Sequence, residues 1–132
     1  MSDQIEQLRE LAKASAAVAY APYSQFQVGA ALMTKAGEIF TGCNVENASY
    51  GLAICAERNA VTTAVTAGVK PGDITELVIY IDREELFSPC GACRQFISEF
   101  MKSESKVTAF NMNGDSKTWT VAGLLPDGFS MP

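Results

Sequence analysis

Two short stretches of the 132-residue chain hold most of its reactive side chains: CAERNA at 55–60 and SPCGACRQ at 88–95. Three of the four cysteines lie in them, Cys55, Cys90 and Cys93, and the chain contains no histidine. That removes the commonest metal ligand and the commonest general base, so the chemistry must run on thiolates, carboxylates and backbone groups. Cys90 and Cys93 are spaced so that both sulfurs, at the start of a helix, face one point. Backbone N–H groups and the positive end of a helix dipole favour thiolates there, and Cys55 opens another helix under the same conditions. Three thiolates converging from two helix ends describe a zinc site. Three protein ligands leave a fourth position for water, the pattern of a catalytic metal rather than a structural one.

Glu57 follows Cys55 by two residues. That spacing puts its carboxylate beside the metal, placed to take a proton from a water that zinc has made acidic. A zinc ion with three thiolates carries one excess negative charge, and Arg58, next in sequence, is the candidate to offset it by hydrogen bonding to a sulfur. Other readings compete. A lone Cys-x-x-Cys also serves thioredoxin-like redox chemistry. Cys43, as a fourth ligand, would close the site into a structural zinc and make the chain a non-enzymatic interaction module. Its place at a strand end beside Asn44 favours an inert, packed thiol instead.

The composition limits the partners. A hydrophobic fraction of 48% with 19% charged residues is that of a soluble globular chain, and 132 residues suffice for one domain. A net charge of −5, with ten scattered Lys and Arg, argues against nucleic acid, which needs clustered cations. No run approaches the roughly 18 apolar residues of a membrane span. The opening MSDQIEQLRE lacks the basic end and apolar run of a secretory signal, so a cytoplasmic location is expected.

Periodicity predicts the elements that place the cysteines. Ile5, Leu8, Leu11, Ala12, Ala16 and Ala19 recur at spacings of three and four, a helix over residues 3–19 with an Asp3/Glu6 capping box and a stop at Ala21-Pro22. Residues 26–33 alternate as a strand with a small-residue face, on which Phe26 is a core residue. Lys35–Glu38 turns into a second strand, Ile39–Asn44, and residues 45–53 form a loop; Asn44 and Glu46 read as loop polars. A helix follows over Cys55–Ala67, then a strand covered on both faces at Leu77–Ile81. Pro89 suits the first turn of a third helix that reaches about Lys102. Lys106–Met112 and Lys117–Val121, joined by Asn113-Gly114-Asp115, make a second hairpin. Trp119 reads as core or interface, and Phe129 as a terminal residue docking locally. The order predicts an α/β fold, one mixed five-stranded sheet with helices on its faces.

Cys-Ala-Glu with Pro-Cys-x-x-Cys matches the zinc deaminase signature, with Cys in place of its first His. YAPYSQFQVGAAL, GCNVENASYG, CAERNA, SPCGACRQ and LLPDGF extend the match over nearly the whole chain. They resemble the small cytidine deaminases that act on free nucleosides. That resemblance implies a three-layer cytidine deaminase-like fold spanning 1–132 as a single domain, and one zinc per subunit on Cys55, Cys90 and Cys93. It also implies hydrolytic deamination of cytidine and deoxycytidine to uridine and deoxyuridine in pyrimidine salvage. Zinc hydroxide would attack C4, while Glu57 would protonate N3 and help the amino group leave as ammonia. The backbone of Ala56 and of the turn Ser88, Pro89 and Cys90 would bind the base edge. Asn44 and Glu46 would bind the ribose hydroxyls, and Phe26 would flank the base. In the homotetramers of this family, Tyr50 and Phe129 would reach into a neighbour's site. Antibiotic-inactivating aminonucleoside deaminases share three cysteines but lack the Asn-x-Glu pair, so Asn44 and Glu46 favour a plain nucleoside. The loop Asp82–Phe87 is more charged than the family pattern implies.

Overall fold

In the computed structural model, which describes residues 3–131, the chain runs α1 (Asp3–Ala16), β1 (Val28–Thr34), β2 (Ile39–Cys43), α2 (Ala56–Thr66) and β3 (Ile74–Ile81). It continues through α3 (Gly91–Ser98), β4 (Met101–Phe110), β5 (Ser116–Thr120) and α4 (Val121–Leu124). The strands form one sheet in the order β2-β1-β3-β4-β5. Only the β3–β4 pair is parallel, so the sheet is mixed, as the element order predicts.

The alternation along β1 divides its side chains between two cores. Ala31 and Met33 face α1, where Leu8, Ala12 and Ala16 meet Val78, Tyr80 and Phe110. Ala30 and Leu32 face the opposite side, where Ala56, Ala60 and Ala64 of α2 and Ile97 of α3 pack on Leu77, Ile79 and Ile81. The result is three layers. β3 lies at the centre of the sheet with both faces covered, which accounts for its continuous apolar run. No helix among the described residues is long and apolar enough to cross a membrane.

Several boundaries differ from the periodicity, β3 opening at Ile74 and β4 at Met101 rather than at Leu77 and Lys106 among them, and four have a local cause. α1 stops at Ala16 because the chain tightens into i→i−3 bonds, Val18 N–H to the Ser15 carbonyl and Ala19 N–H to that of Ala16. β1 begins at Val28, so Phe26 and Gln27 precede the ladder. α3 starts at Gly91, not Pro89, because Cys90 takes the cap position and its sulfur accepts the N–H of Cys93 at 3.4 Å. It ends at Ser98 because Met101 is buried opposite Ile74 and opens a ten-residue strand. The one-turn α4 has too few residues to show a period; Thr120 caps it by accepting from Gly123 N–H at 3.0 Å.

Candidate active site

Cys55 and Cys90 are the N-caps of α2 and α3, and Cys93 lies in the first turn of α3. The two helices start near one another, so the three sulfurs lie within 4.8 Å of one another, with Cys55 and Cys90 at 3.9 Å. Tetrahedral zinc with Zn–S bonds of about 2.3 Å needs sulfurs about 3.8 Å apart. The cluster fits that ion. Among the described residues no other group of Cys, Asp or Glu is gathered this way, and Cys43 stands outside it. Cys43 instead lends its carbonyl to Asn59 Nδ2 at 2.8 Å, which ties the end of β2 to α2.

The electrostatics set Cys55 apart from Cys93. Cys55 is drawn down to about 5, first by the hydrogen bond from Cys93 and then by Arg58, against the opposing effect of burial. Cys93 is pushed up because it donates that bond and is itself buried. Arg58 places a guanidinium nitrogen 3.6 Å from the Cys55 sulfur, so the expected cation stands where the excess charge would fall. Glu57 is 5% exposed, and burial pushes its carboxyl above the usual carboxylate range. A raised carboxyl pKa is the direction that proton transfer requires of a general acid–base group.

Cys55, Cys90 and Glu57 open on a cavity of about 270 Å³, large enough for a small polar ring, while Cys93 lies buried behind its lining. Cys55, Ala56, Glu57 and Cys90 line one side, and Ser88 and Pro89 the rim that leads to Cys90. Phe26 and Asn44, one core-like and one loop-like by pattern alone, line it as well. Glu46 and Tyr50 do not. They line a second depression of about 380 Å³ together with Tyr23 and Ser24. Three hydrogen bonds, first from the Ser24 hydroxyl and then from the N–H groups of Tyr23 and Ser24, hold the Glu46 carboxyl below the usual carboxylate range. Phe129 also stands apart, 69% exposed beside Ser98, Val121 and Leu125.

Several residues that serve the site gave no signal in periodicity. Arg94 donates to the Pro89 carbonyl at 2.8 Å, to Ser88 Oγ at 2.7 Å and to the Leu124 carbonyl at 3.0 Å. One guanidinium thus fixes the rim of the cavity against α4. Phe87 meets Phe26 edge-on, with ring centres 5.3 Å apart, and Arg83 lies over the Phe26 ring at 4.9 Å. The unexpected charge of the 82–87 loop therefore has a use, since part of it packs on an aromatic wall of the cavity. Asn111, 1% exposed, anchors that loop by donating to the Glu84 carbonyl at 2.7 Å. The visible clue to Arg94 was its place in SPCGACRQ, four residues after a cap cysteine.

Residues 2–109 match the family described as the cytidine and deoxycytidylate deaminase zinc-binding region. The chain is 45% identical over 126 residues to the cytidine deaminase of Sporosarcina psychrophila, covering 96% of this chain and 91% of the relative. It is 46% identical over 112 residues to that of Halalkalibacterium halodurans, covering 85% and 83%. A crystal structure of cytidine deaminase from Burkholderia pseudomallei superposes with a TM-score of 0.91 at 47% identity, covering 98% of this chain and all of that one. The three-sulfur cluster, the buried glutamate beside it and these likenesses agree: the chain belongs to the cytidine and deoxycytidylate deaminase family.

Proposed function

We propose that this chain is a zinc-dependent hydrolase that converts cytidine and deoxycytidine to uridine and deoxyuridine with release of ammonia, in pyrimidine salvage. The observation that carries the reading is the juxtaposition of three sulfurs within 4.8 Å, two of which line one cavity together with a buried Glu57. Cys55, Cys90 and Cys93 would hold the zinc. Bound there, zinc acts as a Lewis acid and lowers the pKa of a water. Glu57 would take a proton from the water that adds to C4 and deliver it from its carboxyl oxygen to N3. The same carboxyl would then take the proton of the hydroxyl now on C4 and pass it to the C4 amino nitrogen, so that the C4–N bond breaks, the C4 carbonyl forms and ammonia departs. Phe26, Val28, Ile79 and Ile81 give the cavity apolar walls against which a base ring would pack. Backbone groups of Ala56 and of the Ser88–Cys90 rim meet the base edge, and Arg94 holds that rim still.

The test is an absorbance assay of cytidine conversion before and after chelation. The proposal expects conversion that chelation abolishes and added zinc restores. No conversion by the zinc-loaded protein, or conversion indifferent to chelation, would sink it.

Arg58 supplies the positive charge that three thiolates and a zinc ion lack. Arg58→Gln should lower kcat about tenfold, the scale of one charge-assisted hydrogen bond, with the fold intact by circular dichroism. If kcat and zinc content both stay at wild-type values, Arg58 is an ordinary surface cation.

Asn44 and Glu46 are the candidates for the sugar. Asn44 already uses its amide on the chain, accepting from Val28 N–H at 2.9 Å and donating to the Phe26 carbonyl at 2.8 Å, and one N–H remains for a hydroxyl. Glu46→Ala should raise the KM for cytidine by about tenfold or more. Asn44→Ala should do the same and also cost about 1–3 kcal/mol of stability, because two backbone groups lose a partner. Unchanged KM values in both variants would remove the sugar assignment.

The chain acts as a single-domain subunit of a cytoplasmic homotetramer with shared sites. Phe129 and Tyr50 support this reading: both are large aromatics, 69% and 83% exposed, and neither lines the sulfur cavity of its own chain. A neighbour that buried them would complete the pocket. A single-chain mass by light scattering in fully active protein would remove this part of the proposal.

A further inference from the structure

The loop between α1 and β1 holds a chain of polar contacts that the chemistry above does not use. The Glu46 carboxylate accepts from the N–H groups of Tyr23 at 2.9 Å and Ser24 at 3.2 Å. Its other oxygen accepts from the Ser24 hydroxyl. The same hydroxyl oxygen accepts the N–H of Phe26 at 3.0 Å. Between them Gln25 has φ 57°, the one left-handed backbone among the described non-glycine residues, and this turns Phe26 N–H back toward Ser24. The carbonyl of Phe26 is taken by Asn44. Phe26 lies outside the β-ladder, so side chains rather than a neighbouring strand hold both its backbone groups.

We propose that Ser24 is a positioning residue that couples the carboxylate of Glu46 to the ring of Phe26, so that sugar recognition and base contact are set together. This rests on the roles proposed above for Phe26 and Glu46. Three donors occupy a carboxylate with about four acceptor positions, leaving one for a sugar hydroxyl. The Ser24 hydroxyl fixes which position stays free. Without it the carboxylate turns on the two backbone donors alone, and Phe26 N–H loses its partner. Base and sugar then no longer meet a single rigid surface.

The test compares wild type, Ser24→Ala and Ser24→Thr in the zinc-loaded protein on cytidine and on 2′,3′-dideoxycytidine, with zinc content and melting temperature measured in each. Ser24→Ala should raise the KM for cytidine about tenfold with kcat within about twofold, the scale of one hydrogen bond to a charged group. Dideoxycytidine, which lacks the 2′ and 3′ hydroxyls and keeps only the base contact, should lose less, so the preference for cytidine falls at least about threefold. Ser24→Thr, which keeps the hydroxyl, should restore most of it. Equal losses on both substrates, or loss of fold or zinc in Ser24→Ala, would make Ser24 a structural brace and overturn the proposal. Wild-type kinetics in Ser24→Ala would overturn the coupling while leaving the deaminase reading in place. A zinc-loaded wild type that converts neither substrate would overturn that reading, and the coupling with it.

Discussion

Glu57→Gln is expected to keep the fold and the zinc and to lose at least about 10² to 10⁴-fold in kcat, the usual scale for removing a general acid–base group. Two proton transfers depend on this one carboxyl, so the larger figure is the better expectation. Glutamine has the same shape and fills the same buried space in the cavity lining, so packing stays as it is. It cannot accept the water's proton or return one to N3. The variant should melt no lower than wild type, because a neutral amide costs less to bury than a carboxylate and Glu57 is 5% exposed. Zinc content by metal analysis and kcat by absorbance, on the same sample, check it. Near-normal turnover with full zinc would remove Glu57 from the mechanism.

The second large effect falls on stability and involves no polar group. A Cβ at Gly42 would lie 2.4 Å from the Ala60 nitrogen and 2.8 Å from the Ala56 carbonyl oxygen, both backbone atoms of α2. A Cβ at Gly29 would lie 1.8 Å from the Ala12 carbonyl oxygen and 2.5 Å from the Ala16 nitrogen, at α1 and on the other face of the sheet. Backbone cannot swing aside as a flexible side chain can, so each helix would have to leave its strand. Gly42→Ala and Gly29→Ala should each cost about 3 kcal/mol, the upper end of overpacking, and lower the melting temperature by about 10 °C. Their effects on catalysis should differ. α2 carries Cys55, Glu57 and Arg58, so Gly42→Ala should also lower kcat of the folded fraction, by up to about 10²-fold for a displacement near 1 Å. Gly29→Ala moves α1, which holds none of the site, and its folded fraction should turn over normally. Urea unfolding with activity corrected for folded protein separates the two. Equal stability to wild type in both, or equal catalytic damage, would contradict this account of the packing.

The two glycines also show where reading the sequence stopped. The alternation over 26–33 predicts a strand with a small-residue face, and β1 has one. Nothing in a period of two tells that the face is small because a helix backbone rests against it. The same limit applies to Phe26. Its spacing from Val28 predicts a core residue, and Phe26 does pack against the core, but the ladder begins two residues later and Phe26 lines the cavity as well. Only the resemblance to a known family put it beside a base. The metal cluster was legible because cysteine is rare, its spacing is tied to a helical turn, and helix caps have sequence signals. Ser24, Arg94 and Asn111 act through hydrogen bonds to backbone groups up to 30 residues away, which no local pattern carries. α3 was over-extended for a related reason. Its helical period continues past Ser98, and only the pairing of Met101 with Ile74 shows where the strand takes over.

The central claim is that this chain holds zinc on three sulfurs with one position left for chemistry, rather than closing it with a fourth. X-ray absorption at the zinc edge of the loaded protein measures that directly. Three sulfurs at about 2.3 Å and one oxygen or nitrogen near 2.0 Å are the expected shell. Four sulfurs, with Cys43 drawn in, would mark a closed structural site and contradict the account.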